Sequence, residues 1–125
     1  MRLLLDTHLL LWVMADAPAL SSRARDEIAA AEMVYASAAS LWEISIKAAL
    51  GKLTVDQADL TDKLAQAGFH PLPVTSDHAA AVRRLPDIHR DPFDRMLVAQ
   101  AVSEPLRLLT HDRILTQYSE LVIAV

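Results

Sequence analysis

Short apolar runs alternate along this chain with longer stretches whose apolar positions recur at helical spacing. Arg2 to Leu5 reads as a buried strand, followed by a helix from about Thr7 to Ala15 that Pro18 breaks. Ser21 or Ser22 can cap the next helix, which ends near Ala31, and Met33 to Ala36 reads as a second strand. A helix from about Ala38 to Leu50 closes at Gly51 in a left-handed cap. Asp56 to Ala67 forms another helix with Gly68 as its stop. Phe69 to Val74 is a strand that Pro71 and Pro73 confine to a sheet edge. Ser76 to Leu85 gives a further helix, and Asp91-Pro92 opens one that must end before Pro105. Arg107 to Thr110 and Leu121 to Ala124 are the last strands, with a short helix between them. This alternation predicts an α/β domain with a mainly parallel sheet, and 125 residues suit one domain over 1–125.

Composition narrows the class. At 53% hydrophobic and 22% charged, the chain is expected to be globular, with no low-complexity run or repeat. The absence of cysteine excludes disulfides, thiolate zinc sites and a cysteine nucleophile. Asp6 and His8 interrupt the apolar start, and Leu9 to Ala15 is too short to span a bilayer, so a soluble cytoplasmic protein without membrane association is expected. A net charge of −4 argues against a simple electrostatic nucleic-acid binder. It leaves room for an enzyme that reaches phosphates through bound cations and local arginines.

Four places put a carboxylate where chemistry could use it. Asp6 follows the first strand and Asp112 follows the strand ending at Thr110, and in open α/β sheets ligands collect beyond the carboxyl ends of strands. Glu43 shares a helical face with Ala39, Ile46 and Leu50, and Asp94 aligns with Leu97, Val98 and Ala101. A glutamate or aspartate in such a stripe needs a partner or a cation. Each also has a plainer reading. Asp6 and Asp112 suit helix N-caps, Ser40-Leu41-Trp42-Glu43 has the form of a capping box, and Asp91 taken alone reads as a cap. Gathered together, however, carboxylates repel; at an effective dielectric of ~20, like charges 4 Å apart cost about 4 kcal/mol. A cluster of this kind makes sense around a hard cation, Mg²⁺ or Mn²⁺, and such sites serve phosphodiester hydrolysis.

Leu4-Leu5-Asp6-Thr7-His8, Ser40-Leu41-Trp42-Glu43-Ile44, Asp91-Pro92-Phe93-Asp94-Arg95-Met96-Leu97-Val98-Ala99-Gln100-Ala101 and Leu109-Thr110-His111-Asp112 occur in that order. Together they resemble the PIN-domain family, specifically the VapC-type toxins of toxin–antitoxin pairs. The resemblance implies a three-layer α/β/α fold and a metal-dependent endoribonuclease. It makes Asp6, Glu43, Asp94 and Asp112 the acidic metal-site residues, with Asp91 a further acid and Thr110 orienting Asp112 or the attacking water. It also implies an RNA substrate, a small VapB-like antitoxin partner and a homodimer. His8 departs from the smaller polar residue common after Asp-Thr in the family, which bears on substrate choice.

Other features have weaker claims. The five histidines show no metal-ligand spacing, and His8 and His111 read as rim residues. Arg83, Arg84, Arg90 and Arg95 suit either a solvated face or phosphate contacts. Trp12 and Trp42 read as core or dimer contacts, and Ile44, Leu50 and Leu53 as additions to a partner surface. No phosphate-cradling glycine loop or nucleophile elbow is present. A receiver or phosphatase domain would need a second acid beside Asp6, which Asp6-Thr7-His8 lacks. A catalytically silent RNA- or protein-binding module on the same fold remains the alternative function.

Overall fold

A computed structural model describes residues 1–125, the side chain of Gln57 excepted. The strands are β1 (Arg2–Leu5), β2 (Met33–Ser37), β3 (His70–Leu72), β4 (Arg107–Thr110) and β5 (Val122–Ala124). The helices are α1 (Thr7–Ala15), α2 (Ser22–Ala30), α3 (Ala38–Ala49), α4 (Gln57–Gln66), α5 (Ser76–Arg83) and α6 (Pro92–Ser103), with a 3-10 turn at Arg113–Gln117.

The five strands form one sheet in the order β3-β2-β1-β4-β5, every neighbouring pair parallel. Strand alternation sorts the core into two layers. Leu3, Leu5, Val34, Ala36 and Leu109 face α1, α2 and α4, meeting Leu9, Leu10, Ala24, Leu60 and Leu64. Leu4 and Leu108 face the other way, toward Leu97, Val98 and Ala101 of α6 and Leu115 of the 3-10 turn. The result is the three-layer α/β/α arrangement.

Element boundaries follow local chemistry. Ser21, Ser37, Asp56 and Thr75 each cap the helix that follows with a side-chain oxygen. Ser37, and not Ser40, starts α3, so the capping-box reading of Ser40 and Glu43 is wrong. Helix α1 ends at Ala15 because Asp16 turns left-handed, with φ 47°, two residues before the expected break at Pro18. Gly51 and Gly68 take positive φ just beyond α3 and α4, as their positions at helix ends require. Strand β3 is shorter than expected, confined to the sheet edge by its prolines, and α5 stops at Arg83.

Two expectations about α3 fail. Its inward face is Ala39, Ser40, Glu43 and Ile44, whereas Ile46 and Leu50 are 37% and 64% exposed. The stripe is rotated by about one position, so Ile44 lies in the core and not on a partner surface. Trp42, 64% exposed, is no core residue and packs edge-on against Phe93. No described helix is long and apolar enough to cross a membrane.

The chain lays β1, β2 and β3 outward to one side, then returns to set β4 and β5 on the other. The order in which strands are added therefore reverses between β1 and β4, the place where such parallel sheets open a crevice at the carboxyl ends of the strands. Leu108, fully buried on β4, tests the core that supports this crevice. Leu108→Ala should cost about 2–5 kcal/mol in urea unfolding. A loss under about 1 kcal/mol would mean that the α6 face is not close-packed.

Candidate metal centre

Asp6, the first residue after β1, sits at the head of the crevice and is only 3% exposed. Its Oδ1 accepts from Leu9 N–H at 2.8 Å, capping α1. Its Oδ2 accepts from Thr110 Oγ1 at 2.6 Å and from His111 N–H at 3.2 Å. Capping and site geometry thus coincide in one side chain. Thr110 acts on Asp6 rather than on the Asp112 carboxylate, and its oxygen also accepts the Asp112 N–H at 3.0 Å. Asp112 in turn caps the 3-10 turn by accepting from Ile114 N–H.

Glu43 is 5% exposed and doubly held. Thr7 Oγ1 lies 2.8 Å from Glu43 Oε1 and 2.9 Å from Ser40 Oγ. Since a carboxylate only accepts, Thr7 donates to Glu43 and takes its own hydrogen bond from Ser40. The other oxygen, Oε2, accepts from Lys47 Nζ at 2.8 Å, one helical turn further on. Lys47 was not singled out in the sequence, although the four-residue spacing from Glu43 is a readable signal.

Asp91 caps α6 by accepting from Phe93 and Asp94 N–H, and Pro92 takes the first helical position. Asp94, the third residue of α6, lies in its first turn. Burial, then the Asp91 and Asp6 carboxylates, and less strongly Glu43, push its carboxyl up from 3.8 to about 7, against the opposing pull of His89. These charges mark the residues around it. One oxygen of Asp94, one of Asp112 and a ring nitrogen of His89 lie within 4.8 Å of one another. His89 escaped sequence reasoning because no ligand spacing includes it. The available signal was its place two residues before the cap of α6.

The remaining polar residues sort themselves around this centre. His8 and His111 are exposed at the rim, their rings tilted against each other with centroids 4.8 Å apart, and Trp12 meets His111 edge-on. Arg95 neither faces solvent freely nor offers itself to phosphate, because it donates to the carbonyls of Val82 and Pro86 and to Tyr118 Oη. Arg83, Arg84 and Arg90 are exposed.

Acids from β1, α3, α6 and the end of β4 therefore meet around Asp94, and oxygen donors dominate the set. Such a donor set fits a hard divalent cation, which would relieve the repulsion that raises the Asp94 pKa. Residues 3–121 match the PIN domain family. The chain is a PIN domain. Three solved structures similar to it span nearly their full length and its own. VapBC2 from Rickettsia felis, bound to a promoter DNA fragment, has a TM-score of 0.71 at 14% identity, covering 100% of this chain and 98% of that one. FitAcB from Neisseria gonorrhoeae also has a TM-score of 0.71, at 20% identity and 98% and 96% coverage. A toxin–antitoxin complex from Klebsiella pneumoniae has a TM-score of 0.66 at 17% identity, with 97% and 95% coverage. At these identities the likeness is one of fold. No curated protein sequence matches the chain.

The Asp94 carboxyl sets a pH dependence in this PIN domain. Its folded pKa of about 7 exceeds the ordinary 3.8, so the folded state keeps a proton that the unfolded chain has given up. That contribution is present at low pH and disappears as pH rises through this window. In EDTA, Asp94→Asn should melt progressively higher than wild type as pH goes from 5 to 8. Parallel melting profiles for the two proteins would contradict the crowding of the acids.

Proposed function

We propose that this PIN domain is an Mg²⁺- or Mn²⁺-dependent endoribonuclease, the VapC-type toxin of a toxin–antitoxin pair. The observation that carries the reading is the crowding at Asp94: a half-buried carboxyl facing Asp6, Asp91 and Glu43, with one oxygen within 4.8 Å of an Asp112 oxygen, is poorly matched to any environment without a cation. When bound, the cation supplies a Lewis acid at the scissile phosphate and lowers the pKa of the attacking water. Asp6, Asp94 and Asp112 are the residues to hold it, with Glu43 contributing charge from α3. Thr110 fixes the Asp6 carboxylate through a 2.6 Å hydrogen bond, so that orientation is set before substrate arrives. Asp91 mainly caps α6 and acts on the cation through water. RNA is the substrate class, in keeping with a chain of net charge −4 that reaches phosphate through metal.

The toxin assignment draws support from the similar folds, two of them in complexes named for antitoxin or promoter assemblies. A small antitoxin would silence the enzyme by placing an Arg against the carboxylates, a charge-assisted pairing that substitutes for the cation. A homodimer fits the apolar cavity of about 520 Å³ lined by Trp42, Val74, Val82, Phe93 and Met96. The cytoplasm, where RNA is translated, is the compartment this activity requires.

A labelled RNA pool incubated with Mn²⁺, with EDTA as control, tests the activity. Wild type should cleave it. Asp6→Asn should be inactive, and Asp94→Asn should lose orders of magnitude in rate. Asp91→Asn, which keeps a capping oxygen, should melt like wild type and lose less activity. Metal-independent cleavage, or an Asp6→Asn variant at wild-type rate, would remove the acids from the chemistry. In cells, expression of this chain alone should slow growth and coexpression of a small antitoxin encoded beside it should restore it. No growth defect, and no small protein retained in a pull-down, would count against the toxin assignment.

A further inference from the structure

The segment between α5 and α6 is held by the side chains that follow it in the sequence. Arg95 Nη1 donates to Pro86 O at 3.0 Å and His89 O at 3.4 Å, while Nη2 donates to Val82 O at 3.2 Å. Tyr118 Oη accepts the His89 N–H at 2.8 Å and lies 3.2 Å from Arg95 Nη1. The backbone of His89 is therefore gripped at both its N–H and its carbonyl.

Its ring is fixed as well. Nδ1 of His89 accepts the Asp91 N–H at 3.0 Å. A ring nitrogen that accepts a hydrogen bond carries no proton, so the ring proton sits on Nε2. That Nε2 lies 3.3 Å from Asp112 Oδ2 and 3.9 Å from Asp94 Oδ2. It faces one acid from α6 and one from the end of β4, both of which only accept when ionised.

We infer that His89 is a positioning residue, an Nε2–H clamp on Asp112 that faces Asp94 from 3.9 Å, and that it is not a ligand of the cation. The inference rests on the acidic cluster being a cation site. A nitrogen that carries its proton has no lone pair for a metal. Ligation through Nε2 would move the proton to Nδ1, where it would confront the Asp91 N–H at the start of α6, donor against donor. The clamp therefore orients one oxygen of Asp112, offsets part of the repulsion between two acids, and leaves their remaining lone pairs to the cation. Arg95 and Tyr118 keep the clamp in register by holding its backbone.

Nitrogen-15 NMR of the imidazole rings, in metal-free protein and at saturating Mg²⁺, reads the ring state directly. His89 should be protonated at Nε2 and bare at Nδ1 in both conditions. A proton on Nδ1, or loss of the Nε2 proton when Mg²⁺ is added, would overturn the inference. Mn²⁺ affinity, followed by electron paramagnetic resonance, supplies the second reading. His89→Ala should weaken Mn²⁺ binding about 10–100-fold, while His89→Gln, whose amide can donate from a similar place, should stay within about threefold of wild type. Melting curves confirm that both variants are folded. A His89→Ala variant that binds Mn²⁺ as tightly as wild type would also overturn it. Should wild type bind no Mn²⁺ at all, the cation-site reading fails, and the NMR ring state still decides whether the clamp exists.

Discussion

The hydrogen bond from Thr110 to Asp6 ties the end of β4 to the end of β1 at 2.6 Å, and the centre is organised around it. Leu5 pairs with Leu109, and the Asp6 N–H continues the ladder by donating to Leu109 O at 3.0 Å. The backbone pairing thus delivers Asp6 and Thr110 side by side at the point where the strand order reverses. From there Asp6 starts α1, and Thr110 receives the N–H of Asp112 and so sets the turn that carries the next acid. The threonine hydroxyl uses its proton and one lone pair at this one junction. Replacement by an apolar residue of like shape would keep the strand but leave a buried carboxylate oxygen short of a donor.

Once acids converge, the protein must offset their repulsion in the absence of a cation. It does so with donors placed against the individual carboxylates. Lys47 and Thr7 serve Glu43, the start of α1 and Thr110 serve Asp6, and His89 serves Asp112. Asp94 has only the His89 Nε2, at 3.9 Å and beyond hydrogen-bond reach, and its carboxyl is the one pushed up to about 7. Burial and like charge act in the same direction there. The imbalance is local, and it lies between the residues best placed to hold a cation.

Much of this was legible because local signals agreed. Strand residues 2–5 and 107–110 are apolar runs ending in polar residues, and the Asp91-Pro92 pair marks the start of α6 by capping chemistry alone. The direction of Asp94 also followed from its spacing to Leu97, Val98 and Ala101, all buried. The direction of α3 did not. Glu43 is buried, yet the stripe inferred for it included Ile46 and Leu50, because an amphipathic pattern with several apolar faces leaves the rotation of a helix open by one position. Partners that come from distant parts of the chain were equally out of reach. The Thr7 to Glu43 contact and the grip of Arg95 and Tyr118 on His89 depend on how elements pack, which no spacing within a single motif reports.

The central claim is that crowded carboxylates at the β1–β4 crevice are completed by a divalent cation. Carbon-13 NMR of the Asp94 carboxyl, titrated with pH in the absence and presence of saturating Mg²⁺, tests it at the atom concerned. Without metal the midpoint should lie near 7; with Mg²⁺ it should fall back toward the ordinary carboxylate range as the cation stabilises the ionised form. A midpoint that Mg²⁺ leaves unmoved, or one already ordinary in the metal-free protein, would contradict the account.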